Sequence, residues 1–166
     1  VPDLVILGKP MGNGHPIGAV ITTEEISKSF EKGVEFFSSF GGNPVSCSAG
    51  LAVLDVIEEE NLQNNAKIVG DYYLKQLNIL KKEFSCIGDV RGTGLFIGIE
   101  IVKKDSKIPD KRLAQKIKND LRNNYILVGT DGPHDNVIKS KPPICFTKEN
   151  VNQVITSLNI ILKKYI

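Results

Sequence analysis

The apolar positions of this chain fall into short unbroken runs and longer periodic stretches. Leu4-Val5-Ile6-Leu7 is a continuous apolar run that stops at Gly8-Lys9-Pro10, the pattern of a strand buried on both faces. Gly12, Asn13, Gly14 and His15, set between Pro10 and Pro16, predict a loop, after which Gly18-Ala19-Val20-Ile21 resumes strand character. Thr22 and Glu25 have capping-box spacing and predict a short helix to about Lys32. The stretch from Gly33 to Gly42 is irregular. Asn43 is then a good N-cap and Pro44 suits the first helical position, which predicts a helix through Cys47, Leu51, Leu54 and Ile57.

The acidic run Glu58-Glu59-Glu60 reads as a solvated helix end or bend. Beyond it, Ile68, Val69, Tyr72, Leu77 and Leu80 mark the apolar side of a long helix from Leu62 to Glu83. Val90-Arg91-Gly92-Thr93-Gly94 reads as a turn, Leu95 to Val102 as a strand and Lys103 to Pro109 as a polar loop. A helix from Lys111 to Asn123, a strand at Ile126-Leu127-Val128, a loop from Asp131 to Asn136, a strand near Val137 to Lys141 and a last helix from Lys148 to Tyr165 complete the prediction. Strands and helices alternate without internal repeats, which predicts α/β layers. The acidic bend divides a Gly-rich front piece, residues 1–60, from a compact back piece, residues 61–166.

Composition narrows the class. With 166 residues, 41% hydrophobic and 24% charged, the chain suits one globular domain or the end of a larger one; it is not disordered, collagenous or a coiled coil. Its single methionine is Met11 and it starts at Val1 inside apolar sequence, as expected of a fragment or a processed product. The 21 basic and 19 acidic residues leave +2, scattered through helical stretches, which is no footprint for nucleic acid. No apolar stretch approaches the roughly 18 to 20 residues of a spanning helix, and the start lacks a signal-peptide pattern. A soluble, cytoplasmic protein is the expectation, with organelle import left open. Cys47, Cys86 and Cys145 are odd in number and far apart, which predicts buried, reduced thiols.

Lys9 is the sharpest candidate for chemistry, because it sits where a buried strand gives way to a Gly-rich loop, the place where α/β proteins carry reactive groups. A lysine held there between apolar walls can lose part of its proton affinity, as a Schiff-base amine must; a solvated lysine closing a strand is the plainer reading. Gly41-Gly42-Asn43-Pro44 offers backbone amides at a helix start, preceded by the hydroxyls of Ser38 and Ser39, a sensible seat for a phosphate group or simply a tight turn into a capped helix. Neither the Walker A spacing nor the G-x-G-x-x-G fingerprint is present. Arg91 could form a two-point pair with a carboxylate or phosphate, or a structural ion pair. His15 and His134 lie in Gly/Pro-rich loops without metal-ligand spacing, so turn packing or exposure is expected and no metal is assigned; no serine sits in a Gly-x-Ser-x-Gly elbow.

Taken in order, Pro2-Asp3-Leu4-Val5-Ile6-Leu7-Gly8-Lys9, Phe40-Gly41-Gly42-Asn43-Pro44 and Gly88-Asp89-Val90-Arg91-Gly92-Thr93-Gly94-Leu95 resemble the C-terminal portion of a class III aminotransferase, a fold type I enzyme dependent on pyridoxal phosphate. The resemblance covers essentially the whole chain. Gly8 to Pro16, Thr130-Asp131-Gly132-Pro133 and Lys141-Pro142-Pro143 look most like the ethanolamine-phosphate and phosphohydroxylysine phospho-lyases, with mitochondrial-type alanine–glyoxylate aminotransferases next.

The resemblance implies an α/β fold in which residues 1–60 end a large cofactor-binding domain and residues 61–166 form a small C-terminal domain. It implies that Lys9 forms the aldimine with pyridoxal phosphate and shuttles the proton at Cα. Ser39, with Ser38 beside it, falls where the family has a threonine that contacts the cofactor phosphate of the neighbouring subunit of a homodimer. Arg91 matches an arginine that binds the substrate's acidic group. The substrate would be a small primary amine, and the outcome either transamination or elimination of phosphate from an amino-alcohol phosphate. The residues that stack on the cofactor ring and pair with its nitrogen lie upstream in the family, so this chain alone is expected to be inactive. A folded interaction or dimerisation module that has lost the cofactor half is the alternative, and a phosphate binder using the Gly41-Gly42 turn a third reading.

Overall fold

A computed structural model describes residues 1–165. The chain divides into two compact units, Val1–Asn61 and the stretch from Leu62 onward.

In the first unit, β1 (Leu4–Leu7) pairs antiparallel with β2 (Ala19–Thr22), Leu7 lying opposite Ala19. A single 3-10 turn, Lys9–Gly12, follows β1, and two helices complete the unit: α1 (Glu24–Glu31) and α2 (Pro44–Glu59). The N-cap of α1 is Thr23, not Thr22: the Thr23 hydroxyl accepts from the Ile26 amide, while Thr22 Oγ1 donates to the Asp3 carbonyl at 2.9 Å and ties down the start of β1. The α2 start is as predicted, with Asn43 Oδ1 accepting from the Ser46 amide at 2.9 Å and Pro44 in the first helical turn. The expectation that β1 is buried on both faces fails. All four of its residues are exposed, Ile6 at 80%, because β2 is its one neighbour and no layer of the unit packs on either face.

In the second unit, α3 (Leu62–Glu83) precedes β3 (Ile87–Thr93), β4 (Phe96–Ile101), α4 (Lys111–Asn123), β5 (Gly129–Asp131), β6 (Val137–Ser140) and α5 (Lys148–Tyr165). The strands form one antiparallel sheet in the order β3-β4-β6-β5. Arg91 therefore sits inside β3 instead of in a turn; the turn comes at Gly94-Leu95, and Gly92 stays in the strand, close to Phe96 and Ile97 of β4. The strand expected at 126–128 lies at 129–131, because the Ile126 amide is taken by the Leu121 carbonyl at the end of α4.

The helices carry their apolar residues at helical spacing: Val69, Tyr73, Leu77 and Leu80 on α3, Ala114, Ile117 and Leu121 on α4, and Val151, Val154, Leu158, Ile161 and Leu162 on α5. They form one core with the inward-facing Ile97, Ile99, Ile101 and Ile138 of the sheet, each such side chain contributing roughly 1.5–3 kcal/mol of burial. Asp110 caps α4 through the Leu113 amide at 2.9 Å, and Thr147 and Asn150 cap α5 reciprocally at 3.1 and 3.3 Å. Of the three free cysteines only Cys86 is buried, its thiol pushed up to about 11 by desolvation; Cys47 and Cys145 are exposed, against expectation, since one lies on an uncovered stretch of α2 and the other in the loop before α5. Among the described residues, no helix is long and apolar enough to cross a membrane.

Candidate functional site

Lys9 opens the 3-10 turn directly after β1. Gly8 precedes it in extended conformation, the Met11 amide closes on the Gly8 carbonyl at 2.9 Å, and Asn13 ends the turn with a left-handed φ of 45°. The Lys9 side chain is exposed and, among the described residues, takes part in no ion pair or hydrogen bond. The side chain is thus not held between apolar walls, and no ion pair has to break before it engages a ligand.

The loop before α2 is a set of hydrogen-bond donors. Ser38 Oγ accepts from the Gly41 amide at 3.0 Å and keeps its own proton to donate, while Ser39 makes no side-chain hydrogen bond among the described residues. Gly42 has φ 68°, with open space where a side chain would be, so the chain turns sharply into the helix there. Hydroxyls and amides at a helix start suit the phosphate ester of pyridoxal phosphate, and an unpaired lysine suits its aldehyde. The residues of the first unit thus fit the group in chemistry.

His15 does more than pack in its turn. Its Nε2 lies 2.8 Å from Ser46 Oγ, which also accepts from Asn43 Nδ2 at 3.0 Å. The same Asn43 amide donates to the Phe40 carbonyl at 2.7 Å. No group of three or more potential metal ligands occurs among the described residues.

Arg91 belongs to the second unit. Its Nη1 bonds Asp89 Oδ2 at 2.9 Å and Glu100 Oε2 at 2.8 Å, and Lys81 reaches the other Asp89 oxygen at 3.4 Å. The structural ion pair is therefore present. None of these bonds uses Arg91 Nε or Nη2, which leaves guanidinium donors for a further anion. The register sets Arg91 opposite Gly98 and Gly98 opposite Lys139, so two cations share the outward face across a strand position with no side chain. They line a cleft of about 570 Å³ together with Phe96, Asp131 and Val137, and Lys139 is paired with Asp131. Lys139 escaped the sequence reading. The alternation of Val137-Ile138-Lys139-Ser140 puts it on the outward face, but its place beside Arg91 depends on a register between strands distant in the chain.

Burial pushes the Asp89 carboxyl up, but the hydrogen bonds from Arg91 and Lys81 outweigh it and hold the group below the usual range. Asp120 is held low by the Tyr165 hydroxyl at 2.8 Å and by Lys164 at 3.0 Å. A carboxylate depressed in the folded state contributes stability that is present above its unfolded value, about 3.9, and lost as pH falls through the lower folded value. All four tyrosines lie in the second unit and there is no tryptophan, so tyrosine fluorescence reports that unit's unfolding alone. Its unfolding free energy, read from urea titrations, is expected to fall below about pH 4 by an amount on the order of 1 kcal/mol for these half-exposed pairs. Arg91→Gln should lower the neutral-pH midpoint and shrink the acid drop; an unchanged drop would show that Asp89 carries none of it.

A family model described as aminotransferase class-III matches residues 1–162. A Drosophila melanogaster protein named alanine–glyoxylate aminotransferase 2-like is 54% identical over 158 residues, covering 93% of this chain and 32% of its own length. The solved structure of an Arthrobacter phospholyase in complex with phosphoethanolamine is similar with a TM-score of 0.96 at 43% identity, covering 98% of this chain and 39% of that one. An amine transaminase from an uncultivated Pseudomonas species, solved in its PLP-bound form, is similar with a TM-score of 0.86 at 30% identity, covering 98% of this chain and 38% of that one. The chain spans about a third of the length of such curated relatives.

Proposed function

The chain belongs to the class-III aminotransferase family, and on that footing we infer that it is the lysine-bearing portion of a pyridoxal-phosphate enzyme acting on a small primary amine. The observation that carries this reading is Lys9, an exposed lysine without an ionic partner at the end of β1, where the sequence resemblance implies covalent attachment. The first unit would end the large domain and the second would be the small one. The first unit leaves many large apolar side chains uncovered, Ile6 at 80% and Phe37 at 83% exposure among them, which supports a larger assembly that covers them.

When bound, pyridoxal phosphate supplies an electron sink for the pair left behind when a proton leaves the amine-bearing carbon. Lys9 Nζ would hold the cofactor's aldehyde carbon and, when free as an amine, would take the proton from the substrate's amine-bearing carbon and return it. Ser38 and Ser39 would donate to the cofactor phosphate, Ser39 serving the other copy of a homodimer. Arg91, with Lys139, would bind the substrate's acidic group through the donors their carboxylate partners leave over. Likeness to a phospholyase favours a substrate whose acidic group is a phosphate, and with it elimination; the likeness to aminotransferases keeps transamination as the second reading.

The test is to reduce the cofactor-loaded enzyme with borohydride and map the added mass. Attachment at Lys9 is expected; attachment at another lysine, or none, overturns the reading. Release of inorganic phosphate from phosphoethanolamine without a keto acid would select elimination, and strict keto-acid dependence transamination.

A further inference from the structure

The turn that carries Lys9 is held to α2 along a single stripe of that helix. Ser46 and Gly50 are one helical turn apart and share a face. Where Gly50 lacks a side chain, its β-position would lie 3.3 Å from Ile17 Cδ1 and 4.0 Å from Met11 Cε, so the apolar part of the turn rests there. At Ser46 the contact is polar, through His15 Nε2 at 2.8 Å. From Ser46 the bonds run on through Asn43 to the Phe40 carbonyl, adjacent to Ser39. Three side chains therefore connect the turn after Lys9 with the loop of Ser38 and Ser39, through a His15–Ser46 bond that spans 31 residues of chain.

The geometry points to His15 as a positioning residue for both: it sets where the Lys9 turn stands on α2, and through Ser46 and Asn43 it sets the loop proposed to hold the cofactor phosphate. This rests on the proposed function above. The apolar contact at Gly50 is non-directional, whereas the bond at Ser46 is directional and fixes the orientation of the turn on the helix. Ser46 Oγ, which accepts from Asn43 Nδ2, has both its own proton and a second lone pair left to meet His15 Nε2. Asn43 serves two ends at once, capping α2 with its oxygen and spanning Phe40 and Ser46 with its two N–H donors. A residue placed only for capping would not need the second donor's partner to be bonded in turn to a histidine on another segment.

The experiment uses the cofactor-loaded enzyme and its His15→Ala, His15→Gln, Ser46→Ala and double His15→Ala/Ser46→Ala variants, with pyridoxal phosphate as the titrant. The readouts are its dissociation constant, the fraction fixed to Lys9 by borohydride, and the thermal midpoint. His15→Ala and Ser46→Ala should each weaken cofactor binding about tenfold, the scale of one partly buried hydrogen bond. The double variant should be no weaker than either single, and His15→Gln, whose amide reaches where Nε2 does, should recover most of the affinity. Cofactor affinity unchanged in His15→Ala, or losses that add in the double variant and follow the thermal midpoint without rescue by glutamine, overturn the proposal. Absence of fixation at Lys9 in the unmodified enzyme would instead overturn the functional reading beneath it, and this proposal with it.

Discussion

Lys9→Ala is expected to lower turnover of the complete enzyme by about 10³-fold or more, with Lys9→Arg losing a comparable factor. The lysine is assigned two tasks, holding the cofactor through a covalent bond and moving a proton at the substrate's reacting carbon. Alanine can do neither. Arginine keeps the charge but stays protonated at every accessible pH and is a poor nucleophile, so charge alone does not restore function. The loss should not come from unfolding, because Lys9 is exposed and unpaired among the described residues, and surface substitutions of that kind change stability by about 0.5 kcal/mol or less. The measurement is steady-state turnover with and without a small primary amine such as methylamine. Partial recovery by the added amine is expected if proton transfer is the lost step. Activity within tenfold of the unmodified enzyme would remove Lys9 from the chemistry.

Helices were the legible part of this fold. α3, α4 and α5 present apolar residues at three- and four-residue intervals over many turns, and Asn43-Pro44 announces α2 by local chemistry alone. Strands were less legible where glycine or a helix end intervened. Gly92 and Gly94 gave Val90 to Gly94 the look of a turn, yet Gly92 is in a strand because a close neighbouring strand also selects for a missing side chain. Ile126-Leu127-Val128 has the composition of a strand, but its first amide closes α4. The candidate site divides the same way. Lys9, Ser38 and Ser39 could be singled out because their neighbours in sequence are their neighbours in space. Lys139 beside Arg91, and Ser46 under His15, are joined by strand register and by the docking of a turn on a helix. No local pattern encodes those.

Gly70→Ala should destabilise the second unit by about 3 kcal/mol or more, a large fraction of the 5–15 kcal/mol typical of a domain. Helix propensity alone predicts the opposite sign, since alanine is about 1 kcal/mol better than glycine within a helix such as α3. What decides the sign is the turn between β3 and β4. A β-carbon at Gly70 would lie 2.7 Å from the Cα of Gly94 and closer still to its carbonyl group, so the atoms that must give way are backbone and not the movable end of a side chain. That backbone is pinned by the pairing of Thr93 with Phe96, which fixes the first and last residues of the turn. α3 would have to move off the sheet, opening the core around Val69 and Tyr73. Gly94→Ala makes the useful contrast. Its φ of 54° strains an alanine, but the nearest atom is the Ala66 carbonyl oxygen at 3.6 Å, ordinary contact, so a cost of about 1 kcal/mol is expected. Urea unfolding followed by tyrosine fluorescence ranks the two variants. If Gly70→Ala proves as stable as the unmodified chain, the close approach of α3 to the turn does not constrain the fold, and helix propensity governs the position instead.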